Sequence, residues 1–313
     1  MTLRAFVVIL FCSCVCMTAD AADNLIGLPK PIDPNRPGAV MLHGGGGTTN
    51  DAWNRFIELA GGPKARIVII PCAAFRVSDA NTYEEFEAEL RRWFGAWVRL
   101  PKNGQAASVE FLYTDNPAKA DRDSFVEPLR TATGVWFSGG LQSRLYYRFG
   151  GSPSKMTKFQ TALRGVLEQG GVVGGTSAGM AALPECMTLY EDWSSGTCKA
   201  VPSLGMKLFD GAIVEQHFNG RSGRLDRFTG LLRNDAALEK LQGRTGATAR
   251  MIGLAVDERT ALVVQGDRLE VLGSSSAHVF LKEGSQKITW HTLSSGSFVE
   301  LKRGRNGEST LLR

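Results

Sequence analysis

The chain reads as an α/β protein built on a doubly wound, mostly parallel sheet with a β-rich C-terminal part. Three features predict this. Short apolar runs alternate with amphipathic helical stretches up to about residue 177. Three of the runs end in glycine clusters: Gly44-Gly45-Gly46-Gly47, Gly139-Gly140, and the Gly174-Gly175 that leads into Ser177. From Gly253 onward, helical periodicity gives way to short strands separated by turn signals. In open α/β sheets, ligands bind at the carboxyl ends of the strands, so glycine-rich strand ends gathered on one edge predict a site there.

In chain order, a Pro-rich entry at 29–37 leads to a buried strand at 38–42 that runs into His43 and the four glycines. A helix is expected over 51–60 and a second apolar strand over 65–71. Tyr83, Phe86, Leu90, Trp93, Phe94 and Trp97 recur at helical spacing, which predicts one helix with an aromatic stripe turned to the core. A third strand at 108–113, a helix near 124–132, and a strand at 134–137 follow, the last opening directly into a helix from Leu141. An amphipathic helix at 158–169 and a Gly-rich break precede the strand that ends at Ser177. Residues 211–218 read as a strand that delivers His217 at its end, before a polar segment and helix to about Lys240. Short strands are expected at 254–258, 260–264, 268–272 and 278–281.

The start of the chain carries a second signal. Arg4, the apolar stretch 5–12 and Ala19-Asp20-Ala21 form a basic start, an h-region and an A-x-A-like cleavage site. The expectation is a signal peptide over 1–22, one mature domain over 23–313, and a secreted or periplasmic destination. The h-region is too short for a spanning helix and no later run reaches about eighteen apolar residues. Cys12, Cys14 and Cys16 lack the Leu-small-small-Cys context of a lipid anchor and would leave with the leader. Cys72, Cys186 and Cys198 remain for an oxidising compartment, where the short spacing of the last two predicts a disulfide. The formal charge of +5 carries no dense basic block, which argues against nucleic acid as a partner. The cysteine spacings and four scattered histidines form no metal pattern, so neither metal nor cofactor is expected.

The chemistry centres on Gly175-Thr176-Ser177-Ala178-Gly179. A Gly-x-Ser-x-Gly box after a strand fits a nucleophile elbow, because the sharp turn brings backbone segments too close for flanking side chains. The Ala178 amide would then sit where an oxyanion develops. A serine needs a base and a group to orient that base. His217, at a strand end on the same edge, fits the base, with Glu258 or Asp257 as the orienting acid. The order Ser, acid, His of the α/β-hydrolases would instead make His278 or His291 the base.

Five strings now carry a resemblance: His43-Gly44-Gly45-Gly46, the run 137–145, the run 174–180, Glu215-Gln216-His217-Phe218, and the run 253–262. In this order they resemble the successive motifs of the cyanophycinase and peptidase E family of serine peptidases, over about residues 38 to 265. The resemblance implies a fold like that of class I glutamine amidotransferases and a Ser-His-Glu triad of Ser177, His217 and Glu258. It also implies an oxyanion hole from the amides of Gly140 and Ala178, and substrate contacts from Gln142, Gln216, Arg221 and Arg224. The implied partner is an aspartyl or β-aspartyl-arginine peptide, and the family admits a homodimer. Two departures bear on specificity: Glu215 replaces an aspartate, and Asn219 stands where the family's first arginine falls in a segment two residues longer. The competing readings are a serine esterase using His43-Gly44-Gly45-Gly46 as its oxyanion hole, and an amidotransferase-like binding domain without activity.

Overall fold

The computed structural model describes residues 24–192, 194–195, 197–246, 248–284, 287–303 and 309–312; the expected leader over 1–22 lies outside them. The strands are β1 (Ala39–His43), β2 (Arg66–Ile70), β3 (Ser108–Phe111), β4 (Gly134–Phe137), β5 (Val172–Thr176), β6 (Cys186–Asp192), β7 (Lys199–Leu204), β8 (Ala212–Glu215), β9 (Ile252–Val256), β10 (Thr260–Gln265), β11 (Arg268–Gly273), β12 (Ser276–Glu283), β13 (Lys287–Ser294), β14 (Phe298–Arg303) and β15 (Ser309–Leu312). The helices are α1 (Asn50–Leu59), α2 (Tyr83–Trp93), α3 (Gly95–Arg99), α4 (Pro117–Ala120), α5 (Asp123–Thr131), α6 (Gln142–Phe149), α7 (Lys158–Glu168), α8 (Ala178–Ala181), α9 (Arg224–Arg233) and α10 (Asp235–Gln242).

A nine-stranded sheet runs β15-β14-β11-β10-β1-β5-β4-β2-β3. The five strands from β1 to β3 are mutually parallel, and β10, β11, β14 and β15 add antiparallel strands beyond β1. Helices cover both faces of the parallel half. Ala39, Met41, Ile67 and Ile69 meet α1 and α3 on one side, while Val40, Leu42, Val68 and Ile70 meet α2, α5 and α7 on the other. Strand positions buried on both faces must be apolar, which is why β2, after the exposed Arg66, reads Ile-Val-Ile-Ile without alternation. The helices are started by local chemistry: Thr157 and Gln160 form a reciprocal capping box at α7, of the kind that contributes about 1 kcal/mol.

The C-terminal strands extend this sheet and also build a second one, β13-β12-β9-β8, in which β8 and β9 are parallel. Strands β6 and β7 form a separate antiparallel hairpin that lies against α9.

Two expectations are corrected. Cys186 and Cys198 are free thiols, not a disulfide. Cys186 pairs with Leu204 at one end of the β6–β7 ladder, whereas Cys198 precedes Lys199, which pairs with Asp192 at the other end. Six residues of strand hold them roughly 20 Å apart. The aromatic stripe is divided as well. The helix breaks at Phe94, whose φ and ψ are −96° and 28°. Phe86 and Leu90 are buried on one face of the sheet, and Trp97 packs with Trp53, Phe56 and Trp136 on the other. Trp93 and Tyr83 stand 67% and 51% exposed, so the stripe is not wholly core.

Candidate active site

The register of the parallel strands fixes which loops meet. His43 of β1 pairs with Thr176 of β5, and Phe137 of β4 pairs with Gly175. The three glycine-rich strand ends therefore emerge side by side at one edge. On the second sheet, Glu215 at the end of β8 pairs with Ala255 near the end of β9. His217 and Glu258 each lie two residues past the end of their strand, so neighbouring parallel strands deliver them together.

Ser177 joins β5 to α8 with φ 54° and ψ −118°, a conformation that costs a non-glycine residue about 1–3 kcal/mol. The flanking glycines explain how the turn closes. A Cβ on Gly175 would lie 2.6 Å from the Gly179 carbonyl carbon, and one on Gly179 would lie 2.6 Å from the Ser138 oxygen. The Ser177 amide donates to the His43 oxygen at 2.9 Å, which pins the turn to β1.

A continuous chain of hydrogen bonds runs from this serine. Ser177 Oγ lies 2.6 Å from His217 Nε2, and His217 Nδ1 lies 2.6 Å from Glu258 Oε1. Of the two candidate acids Glu258 reaches the histidine; Asp257 turns away to His278 Nε2 at 3.1 Å. His217 is itself held at φ 48°. The first glycines after β1 clamp both partners: the His217 amide donates to the Gly44 oxygen at 2.7 Å, and the Arg259 amide donates to the Gly45 oxygen at 2.7 Å. The backbone at Gly45 also lies against the imidazole, since a Cβ there would come within 2.7 Å of both ring nitrogens. The glycine loop thus carries the weight of bringing base and acid loops together.

His43 itself is fully buried, with Nδ1 2.8 Å from Thr176 Oγ1. Burial, reinforced by the nearby His217, lowers its pKa to about 4, so it is neutral near pH 7.

The remaining expected positions separate into available and committed groups. Gly140 has φ 138°, and a Cβ there would lie 2.6 Å from the Ala74 nitrogen. The amides of Gly140 and Ala178 have no hydrogen-bond acceptor among the described residues. The Gln216 side chain is nearly buried beside His217, and it too lacks a side-chain partner among the described residues. Gln142 spends Nε2 on the Thr188 oxygen at 3.0 Å, tying α6 to β6 and leaving Oε1 as an acceptor. Arg221 is exposed and unpaired among the described residues. Arg224 departs from the expectation of a substrate-gripping arginine. It is 3% exposed, with Nη1 2.8 Å from Glu215 Oε1 and Nη2 3.3 Å from Glu191 Oε1. Buried charge must be paired, and Glu215, with no exposed surface, draws in both Arg224 and Arg227.

Several contributors were missed from sequence. Asn219 Oδ1 accepts the Glu258 amide at 2.9 Å, so the residue that breaks the arginine pattern supports the acid loop. Arg227 completes the Glu215 cluster through Nε at 2.9 Å. An arginine at the fourth position of an amphipathic helix reads as a surface charge unless its partner is known. Among the described residues, no group of histidines, cysteines and carboxylates could hold a metal ion, and no helix is long and apolar enough to cross a membrane.

With this geometry in view, the comparisons with known proteins agree on one family. A cyanophycinase of Synechococcus elongatus is 27% identical over 268 residues, covering 79% of this chain and 73% of that protein. A cyanophycinase of a Nostoc species is 25% identical over 227 residues, covering 72% and 66%. The crystal structure of a peptidase from an acI-B1 Actinobacterium shares the fold with a TM-score of 0.56 at 20% identity, covering 84% of this chain and 97% of that one. The model of peptidase family S51 matches residues 40–272, which take in every strand end described above, and the chain therefore belongs to peptidase family S51, the family of a serine-type peptidase.

Proposed function

We propose that the protein is an exported serine exopeptidase that hydrolyses aspartyl or β-aspartyl (cyanophycin-like) peptide bonds through an acyl-enzyme. The observation that carries this reading is the chain Ser177, His217, Glu258, with both links at 2.6 Å and the serine on a strained turn. In the first half-reaction Ser177 Oγ attacks the scissile carbonyl while His217 Nε2 takes its proton. Glu258 holds the Nδ1 proton and so fixes the tautomer that leaves Nε2 free to accept. The amides of Gly140 and Ala178 receive the developing oxyanion, a contribution of several kcal/mol where each donor is preorganised. His217 then protonates the leaving amine, and water repeats the sequence on the acyl-ester.

The substrate class follows from what a β-linked aspartyl residue presents. At the N-terminus of a chain such a residue has both its α-carboxylate and its α-amine free, so a pocket for it needs an acceptor and a donor beside the nucleophile. Gln142 Oε1 can accept from the amine, the unpartnered Gln216 amide can serve either group, and Arg221 can grip the carboxylate. Relatives named cyanophycinase support the same class. The reading takes residues 23–313 as one exported catalytic domain, released after the leader over 1–22 to the periplasm or medium.

One experiment tests it: the mature protein is incubated with cyanophycin, a β-aspartyl-arginine dipeptide, an α-aspartyl dipeptide and a simple ester. Fastest turnover of a β-linked substrate is expected. Turnover of the ester alone, or indifference to the aspartyl residue, would overturn the proposal.

A further inference from the structure

Asp257 and Glu258 are adjacent in sequence and point to opposite sides of one loop. Glu258 reaches His217, and Asp257 reaches back to His278, which is 8% exposed on β12. The second pairing is built as carefully as the first. Asp257 Oδ2 accepts from Ser275 Oγ at 2.7 Å and from the Ser276 amide at 3.2 Å. His278 Nδ1 lies 3.1 Å from Thr292 Oγ1 and accepts from Trp290 Nε1 at 3.1 Å, both on β13. An indole N–H can only donate, so Nδ1 is the acceptor and Nε2 carries the proton that goes to Asp257. Burial works against ionised Asp257, but the bonds from His278, Ser275 and the Ser276 amide outweigh it and hold the carboxyl below its ordinary range.

The same imidazole also touches the base loop. Phe218, next after His217, packs its ring 4.8 Å from that of His278 and 5.9 Å from that of Trp290. The Phe218 amide donates to the Val256 oxygen at 3.2 Å, one residue before Asp257. His278 is therefore in contact with the neighbour of the base and the neighbour of the acid at once. An apolar side chain at 278 would fill this space but strip the Asp257 carboxylate of its imidazole donor, so the bond ties the neighbour of the acid to the ring that packs on Phe218. Residues 276–294, which supply His278, Trp290 and Thr292, lie beyond the stretch that matches the family model.

We infer that His278, presented by the β12–β13 hairpin, is a positioning residue for the reaction: it fixes the loops of His217 and Glu258 relative to each other, making the C-terminal strands part of the catalytic apparatus. The inference rests on the triad reading given above. It acts through Asp257 and Phe218 and touches no substrate.

The test compares His278→Leu, His278→Gln and Trp290→Phe with Glu258→Gln. Each purified variant is measured for kcat and KM on an aspartyl dipeptide, for the rate of Ser177 labelling by a fluorophosphonate, and for Tm. A glutamine amide can still donate to Asp257 from nearly the position of Nε2, whereas leucine keeps bulk and loses the bond. His278→Leu is expected to lower kcat and the labelling rate by about ten- to a hundredfold with KM within about twofold, the scale of a catalytic group displaced by up to an ångström. His278→Gln is expected to recover most of that loss, and Trp290→Phe to fall between. Wild-type kcat and labelling in His278→Leu, alongside slow labelling in Glu258→Gln, would overturn this inference and leave the triad intact. Equal loss in the leucine and glutamine variants that follows their Tm values would also overturn it. Unchanged labelling in Glu258→Gln would remove the triad reading on which the inference stands.

Discussion

Replacing Gly45 by alanine should disable the enzyme without unfolding it, and the size of the effect can be worked from the backbone. A Cβ at Gly45 would lie 2.2 Å from His217 Cε1 and 2.7 Å from both ring nitrogens, where ordinary contact begins near 3.4 Å. The imidazole must therefore retreat by about 1.2 Å, or the glycine loop must move away from it. Retreat stretches the 2.6 Å link from Ser177 Oγ to beyond about 3.3 Å, outside the range of a useful O–H···N bond. Displacements of about 1 Å cost roughly a hundredfold in rate, so kcat is expected to fall on the order of thirty- to a hundredfold. The φ of 111° at Gly45 adds strain for any side chain. Its neighbours form a graded control. A Cβ on Gly46 meets Arg259 Cγ at 3.2 Å, and one on Gly47 meets nothing within 4 Å. Gly46→Ala, at φ 71°, should cost stability of about 1 kcal/mol with kcat little changed. Gly47→Ala should be silent. The assay is kcat and KM on an aspartyl dipeptide, with Tm measured in parallel. Gly45→Ala with kcat within twofold of wild type would refute the argument that this loop sets the position of the base.

His43 predicts an acid limb in stability. Its pKa is about 4 in the folded chain against 6.5 unfolded, so the unfolded state takes the proton first; the contribution is full above pH 6.5 and lost as pH falls toward 4, by about 3 kcal/mol. Urea unfolding at pH 7 and pH 4 should show this loss in wild type and a shallower one in His43→Asn. Arg224→Met should destabilise by about 3 kcal/mol because it strips a partner from buried Glu215, whereas Arg221→Lys should leave urea midpoints unchanged and raise KM for a β-aspartyl dipeptide. Glu258→Gln should reduce kcat more than Asp257→Asn does, since Glu258 holds His217 directly; the reverse order in steady-state assays would reassign the acid.

The parallel half of the fold was legible because strands buried on both faces spell themselves out as unbroken apolar runs, and the glycines at their ends mark where backbones must nearly touch. The Ser177 turn was legible for the same reason: a side chain at Gly175 would strike the Gly179 backbone, and one at Gly179 would strike the backbone of Phe137 and Ser138. That Ser177, His217 and Glu258 meet could be read from strand ends, but the choice between Asp257 and Glu258 could not, because adjacent residues in an irregular loop share no periodicity. Arg224 was misread because its partners Glu191 and Glu215 come from a hairpin and a strand that sequence does not place beside it. The β6–β7 hairpin escaped notice for a related reason: a loop between Cys186 and Cys198 suggested a staple, while the ladder actually sets the two cysteines at opposite ends. The Phe94 break was hidden by aromatic spacing that stays helical across it, although the residues on either side pack on different faces of the sheet. Asn219 carried no signal, since an Asx side chain that accepts a distant amide looks like any loop asparagine.

In the proposed mechanism Ser177, activated by His217, is the attacking group. Single-turnover and steady-state hydrolysis of a β-aspartyl-arginine dipeptide by purified Ser177→Ala tests this, with Tm and circular dichroism recorded on the same sample. A native fold is expected, with a loss of kcat on the order of 10⁴-fold or more, because the nucleophile and its base act as a unit. Hydrolysis within tenfold of wild type by a folded Ser177→Ala protein would contradict it.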